Sequence, residues 1–334
     1  MKRIGIICPS EIAFRRFLPA LKEADCFEYA GVAIASKEEF VGATDEILSK
    51  ERTKAQSFVD SFGGKIFEGY SNMIHSNEVD AIYLPLPPGL HFKWAKESLS
   101  ANKHILVEKP CTTSFADTEN LLQEATQKGL AAHENYMFAF HDQLTAVNDI
   151  VKSGEIGDVR LYRISFGFPM RAQNDFRYNK ALGGGALLDC GGYTLKYASM
   201  LLGSSAQIKY AQLNNIDGFN VDMYGSAAMV NEQGVTAQIA FGMDHNYKCE
   251  LEVWGSKGTL YTNRILTAPA GFVPEVIIRK GNEEERRNLP ADDAFKKSII
   301  HFNNCIENQK VRKDNYQTIL RQSQLVDSFL KMAQ

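Results

Sequence analysis

Two rhythms of hydrophobic and polar positions interleave along the first third of the chain. Short apolar runs rich in Ile, Val and Leu alternate with longer stretches whose apolar residues recur every third or fourth position. The pattern predicts strands at 3–8, 29–36, 80–84, 104–108 and 130–134. It predicts helices at 11–24, 49–62, 91–101 and 114–128. Such alternation implies βαβ units and a parallel sheet, with ligands bound beyond the strand C-termini. The segment 38–50 is more charged than a tight βα connection requires. It reads as a surface insertion, or as a flap beside the adenosine end of a cofactor.

The rhythm changes after a helix expected at 142–153. Strands then dominate, at 159–168, 206–213, 223–230, 235–243, 248–254, 259–262 and 276–280, many of them β-branched and aromatic. Polar turns such as Asn231-Glu232-Gln233-Gly234 favour antiparallel hairpins. Helices return at 294–308 and 315–332. The expected fold class is α/β: an N-terminal doubly wound parallel sheet, then a C-terminal α+β domain with a large, mainly antiparallel open sheet. The division is expected at 1–130, a dinucleotide-binding domain, and 131–334, a substrate-binding and oligomerisation domain.

Composition narrows the function. The 334 residues are 44% hydrophobic and 23% charged, ordinary for a globular chain. A net charge of -3 argues against a broad nucleic-acid surface. No run approaches the roughly 18 apolar residues of a membrane span, and the run at 4–8 is too short for a signal-peptide core. The six cysteines form no CxxC pair and no zinc-like cluster with histidine. They read as reduced thiols of a cytoplasmic protein without a metal site.

Two segments carry candidate chemistry. Val107-Glu108-Lys109-Pro110 ends an apolar strand, and Gly183-Gly184-Gly185-Ala186-Leu187-Leu188-Asp189-Cys190-Gly191-Gly192-Tyr193 follows about eighty residues on. Asp189 and Tyr193 share a helix face. An ammonium and a phenol are what a carbonyl becoming an alkoxide needs. Gly191 and Gly192 are costly inside a helix, which implies close packing by nicotinamide or another backbone.

The first turn, where G-x-G-x-x-G/A is usual, reads Cys8, Pro9, Ser10, Glu11, Ile12 and Ala13, and only the last small residue is kept. Ser10 can add a hydroxyl to a phosphate, and the helix start still offers N–H groups. The second strand ends in Ser36 and Lys37 rather than an acidic residue, favouring the 2′-phosphate of NADP, with NAD possible if Glu38 or Glu39 points inward.

These residues resemble the glucose–fructose oxidoreductase / inositol dehydrogenase / MocA family. The likeness rests on Glu108-Lys109-Pro110 and 183–189, together with 86–91, 134–138 and 154–157. It implies a Rossmann-type first domain and a sheet-rich second one. Within the family the chain is most similar to NADPH-dependent nucleotide-sugar 3-ketoreductases, through Phe168-Pro169 and Asp175-Phe176-Arg177-Tyr178. The resemblance implies a cis bond at Lys109-Pro110 and makes Lys109 and Tyr193 catalytic. Asp189 orients Lys109, binds a sugar hydroxyl, or is a buried carboxylate paired with a neighbour. Cofactor contacts fall to 8–13, Ser36, Lys37, Leu84, Pro85, Leu86, Pro87, Glu108, Lys109, Asn135 and Arg177. His91 either lies near the nicotinamide or caps a helix. Substrate contacts fall to Lys109, Tyr136, Arg177, Asp189 and Tyr193. The expected activity is hydride transfer between NAD(P) and a sugar, as the reduction of a keto nucleotide-sugar, in a homodimer or homotetramer joined through the second sheet. Alternatives are a dehydrogenase of a free sugar, polyol or dihydrodiol, a non-catalytic cofactor sensor, or an oligomeric scaffold.

Overall fold

The computed structural model describes residues 1–40 and 42–333, so Val41 of the charged 38–50 segment lies outside the described residues. The strands in chain order are β1 (Lys2–Ile7), β2 (Phe27–Ile34), β3 (Lys65–Glu68), β4 (Ala81–Leu84), β5 (His104–Glu108), β6 (Ala132–Asn135), β7 (Val159–Gly167), β8 (Gln207–Asn214), β9 (Tyr224–Val230), β10 (Thr236–Gly242), β11 (Lys248–Gly255), β12 (Thr259–Asn263), β13 (Glu275–Lys280) and β14 (Glu283–Asn288). The helices are α1 (Leu18–Ala24), α2 (Asp45–Phe62), α3 (Tyr70–Ile74), α4 (Pro88–Ser100), α5 (Phe115–Lys128), α6 (Asp142–Lys152), α7 (Gly192–Leu202), α8 (Ala294–Glu307) and α9 (Gln309–Ala333). The chain forms two compact units. One is Met1–Asn135 with Phe295–Leu320, and the other is Tyr136–Ala294 with Arg321–Gln334. The first unit thus includes five residues beyond 130 and takes back a late stretch of chain.

In the first unit, β1–β6 form a parallel sheet in the order β3-β2-β1-β4-β5-β6. Both faces are covered, so the strands read as continuous apolar runs: Ile4, Ile6, Ile7, Ile82, Leu84 and Ile105 are fully buried. Strand order reverses between β1 and β4, and ligands of such sheets bind at this switch. Helix α2 starts four residues before its expected position. The Thr44 hydroxyl accepts from Ile47 N at 3.3 Å, and Glu46 pairs with Lys50. Its polar first turns look like a loop in the sequence. β3 and α3 are unanticipated additions, because Lys65–Glu68 is a short strand with only Phe67 well buried.

A buried polar string ties this unit together. Tyr83 OH and Asn135 Nδ2 each donate to Glu108 Oε1 at 2.6 Å, Ser298 Oγ on α8 donates to Asn135 Oδ1 at 2.8 Å, and His133 Nε2 lies 2.9 Å from Ser298 Oγ. These groups are all nearly solvent-free.

In the second unit, eight strands form one sheet in the order β14-β13-β12-β11-β7-β10-β9-β8, antiparallel except for the parallel β7–β10 pair. One face packs on α7: Leu195, Ala198 and Leu202 meet Ile164, Ile239 and Phe241. The final strand β14, Glu-Glu-Glu-Arg-Arg-Asn, has no apolar residue to announce it. Pairing with β13 and ion pairs such as Arg279–Glu284 and Arg286–Glu275 hold it, and its charges blunt the sheet edge. The expectation for Gly191 and Gly192 is corrected here. A Cβ at Gly191 would stand 2.9 Å from the Phe241 ring, and one at Gly192 would collide with the Tyr136 hydroxyl. Side chains of the unit's own core, not nicotinamide or backbone, require these glycines.

Replacing Ser298 by alanine strips Asn135 and His133 of a buried partner. We expect a loss of about 1–3 kcal/mol in urea denaturation of the full chain. An unchanged midpoint would show that the string does not stabilise the unit.

Candidate functional site

The first βα connection forms a tight turn without the usual glycines. Cys8 follows β1 at φ 80°, in the left-handed region that normally calls for glycine. Cys8 N donates to Ala33 O at 3.1 Å, and Ser10 N donates to Cys8 O at 2.9 Å, closing a tight turn. Ser10 Oγ then accepts from Ala13 N at 3.3 Å, and the helix begins with the exposed residues Glu11 and Ile12 before a π-helical turn, Ala13–Phe17. The Glu11 carboxylate is turned along the helix to Arg15 at 2.9 Å. The Cys8 thiol packs inward, and burial pushes its pKa up to about 12, so it stays neutral. A tight, left-handed turn is thus formed without either glycine.

At the end of β2, Ser36 Oγ donates to Glu38 and Lys37 pairs with Asp45 at 3.2 Å in the open. Glu39 is committed elsewhere. Its carboxylate accepts from the backbone N–H groups of Ser36, Tyr70 and Ser71 at 2.8 Å each, fastening the start of α3. Of the two acidic residues after this strand, Glu39 is therefore spent on structure, and Glu38 stays exposed beside Ser36.

β4 ends at buried Leu84, and the loop after it carries buried Pro85 and Leu86 and half-buried Pro87. His91 neither caps α4 nor reaches solvent. Its Nε2 lies 2.7 Å from Leu86 O and its Nδ1 lies 2.9 Å from Pro110 O, so one ring pins this loop to the Lys109-Pro110 turn. Burial pushes its pKa down to about 4 against the pull of both carbonyls, with the Lys109 ammonium adding to the effect. The Lys109-Pro110 bond is cis. Just beyond it, Cys111 N donates to the buried Glu134 carboxylate at 2.8 Å. Half-buried Lys109 is thus fixed on both sides. The Glu108 carboxylate is taken up by Tyr83 and Asn135, and burial raises its pKa above the usual range.

In the second unit, Tyr193 stands half-buried on α7 inside a ring of aromatics. Tyr136, Phe138 and Phe166 lie with centroids 5.1, 5.6 and 5.4 Å away. Tyr136 is itself buried, with the Lys196 ammonium 4.8 Å from its centroid. Asp189 belongs to a π-helical turn, Leu187–Gly191, leading into α7. Arg177 Nε donates to Asp189 Oδ2 at 2.7 Å, and its NH1 reaches Asp175 at 3.2 Å. The Asp189 carboxylate is thus paired with Arg177, one of the three expectations for it. A further anchor was missed in the sequence: the Asp222 carboxylate accepts from Leu187 N at 2.7 Å, capping the helix that carries Asp189 and Tyr193. No spacing rule links Asp222 to that helix. Among the described residues no group of histidine, cysteine and carboxylate side chains could hold a metal, and no helix is long and apolar enough to cross a membrane.

His91 binds a proton near pH 6.5 when unfolded but only near pH 4 when folded, so its contribution to stability falls as pH drops through that window. Lowering the pH from 7 to 5 is expected to cost about 2 kcal/mol through this residue. Urea titrations of the protein and of His91→Asn at both pH values check it: the variant should lose that part of the pH dependence.

Residues 3–136 match the model of an oxidoreductase family with an NAD-binding Rossmann fold, and residues 144–261 match the GFO/IDH/MocA C-terminal domain. The chain is 38% identical to a dTDP-3,4-didehydro-2,6-dideoxy-alpha-D-glucose 3-reductase of Actinomadura kijaniata, over 98% of this chain and 94% of that protein. It is also 38% identical to the enzyme of the same name in Streptomyces violaceoruber, covering 99% and 95%. A crystal structure of a 3-ketoreductase from Actinomadura kijaniata, in complex with NADP and TDP-benzene, superposes with a TM-score of 0.90 at 37% identity, over 99% of this chain and 97% of that one. Family models over both sheets and near-full-length identity lead to one conclusion: the chain belongs to the GFO/IDH/MocA oxidoreductase family.

Proposed function

We propose that the protein is an NADP(H)-dependent reductase of a keto group on a nucleotide-linked deoxyhexose. The observation that carries this reading is the left-handed turn at Cys8, which keeps a diphosphate-shaped βα connection where the glycines are lost. It weighs against a non-catalytic sensor with a failed cofactor loop. The relatives supply the substrate class: two 3-reductases of dTDP-linked sugars match over almost the whole chain. The engagement of Glu39 with three backbone N–H groups favours NADP, whose 2′-phosphate would draw Ser36 and Lys37 from their exposed partners Glu38 and Asp45.

When bound, the nicotinamide supplies the hydride. Tyr193 gives its phenolic proton to the forming alkoxide, and the Lys109 ammonium stabilises the charge that develops there. Asp189, held by Arg177, keeps its turn of helix in place beside Tyr193. The Actinomadura 3-ketoreductase has been crystallised with a tyrosine changed to phenylalanine and with a lysine changed to alanine, the two residue types assigned here.

The rest of the reading follows from the same assignment. A second copy covers the outer face of the eight-stranded sheet, where Trp254 is 50% exposed with Arg163 beside its ring. The six cysteines are free thiols, in keeping with a cytoplasmic enzyme.

Tyr193→Phe is expected to lower kcat on a dTDP-linked keto-sugar by at least about 100-fold. A loss below about tenfold removes Tyr193 from the role of acid. NADPH should raise the melting temperature more than NADH does, and Lys37→Ala should erase the difference. Stronger stabilisation by NADH overturns the cofactor assignment.

A further inference from the structure

Loop 168–182 joins β7 to the glycine-rich segment, and it carries two arginines with opposite commitments. Arg177 is neutralised by Asp175 and Asp189. Arg171 is exposed, with no carboxylate in ion-pair range among the described residues, and its guanidinium rests over the Phe168 ring at 5.1 Å. A guanidinium on an aromatic face is held weakly and retains its charge and its fork of donors. The charge of Arg177, by contrast, is already offset by two half-buried carboxylates.

Two routes fix Arg171 with respect to Tyr193. Through the rings, Tyr193 abuts Phe166 at 5.4 Å, and Phe166 abuts Phe168 at 6.0 Å. The Phe168 backbone is bonded on both sides, its N to Gly242 O at 3.1 Å and its O to His245 N at 3.0 Å. Through the loop, Arg177 is clamped to Asp189 on the helix of Tyr193, and the Tyr178 hydroxyl accepts from Arg171 N at 2.8 Å. The loop is therefore bolted at both ends, and two aromatic rings, Phe168 and Phe166, link its exposed cation to the Tyr193 ring. A hexose whose reacting carbon is at Tyr193 carries its diphosphate outward by about one sugar ring.

We propose that Arg171 recognises the diphosphate of the nucleoside-diphosphate handle, with Phe168 as the platform that holds the guanidinium ready, so that this residue selects nucleotide-linked over free sugars. The proposal rests on the substrate class inferred above.

The test uses the full chain with NADPH. Steady-state reduction of a dTDP-linked keto-sugar and inhibition by thymidine diphosphate are measured for the protein, Arg171→Gln and Arg171→Lys. Arg171→Gln should raise both KM and the inhibition constant at least about tenfold while kcat moves less than about threefold, because the lost contact serves ground state and transition state alike. Arg171→Lys should fall between, and inhibition by thymidine diphosphate should depend less on salt in Arg171→Gln than in the parent. If the parent reduces the nucleotide-linked sugar and Arg171→Gln changes KM and inhibition by less than about tenfold, Arg171 is not the diphosphate residue and the proposed function stands. If the parent reduces only free sugars and ignores thymidine diphosphate, the substrate class falls and the proposal with it. Unchanged far-UV circular dichroism and melting temperature confirm that the exposed substitutions have left the fold alone.

Discussion

A buried carboxylate needs partners, and Glu108 is where the first unit meets that demand. Its side chain is 8% exposed at the end of β5, where leaving it unbonded would cost several kcal/mol. Tyr83 at the end of β4 and Asn135 at the end of β6 supply the donors, and Ser298 of α8 completes the string. Three strand ends thereby meet at a single oxygen, and Asn135 ties the late helix to them. Lys109 follows directly on this lock, since the residue before it is held by Tyr83 and Asn135. His91 and Glu134 then hold the following turn. The catalytic lysine is proposed at a point that the polar core has already immobilised.

The second unit reaches the same end by different means. Tyr193 is packed by rings on three sides, and the neighbouring glycines let Phe241 and Tyr136 close in. Charged groups act at the margins, with Asp222 at the start of the helix and Arg177 clamping Asp189. An aromatic box of this kind tolerates volume-conserving change better than it tolerates a new Cβ at either glycine.

How much of this could be read from the sequence depends on where the signal resides. β5 was legible to the residue because His104 and Glu108 bracket the apolar run Ile105-Leu106-Val107, and α5 nearly so because Ser114 caps it. β3, α3 and β14 were not, since their stability comes from neighbours: β14 has no hydrophobic residue and exists through β13 and its ion pairs. The candidate residues with unusual chemistry in unusual company, Lys109 and Tyr193, stand out from sequence alone. The supports do not. Glu39, Glu134 and Asp222 are ordinary acids whose partners are set by the fold. Cys8 shows the limit from the other side, because a lost glycine is visible in the sequence but a retained φ is not. At Gly191 and Gly192 the sequence signalled a close approach, and only the fold could say that Phe241 and Tyr136 make it.

The π-helical turns at Ala13–Phe17 and Leu187–Gly191 have one more consequence. A π turn is the footprint of one residue added to a helix without unwinding it. In a regular helix each residue rotates the next by about 100°. An extra residue absorbed at Leu187–Gly191 therefore swings Asp189 relative to Tyr193 while leaving the buried face of α7 undisturbed. The helix acts as a gear with a slipped tooth: one side engages Arg177, the other the aromatic box. Removing a residue from 187–191 would straighten the helix and break one of the two engagements, so the length of this turn is a structural parameter in its own right.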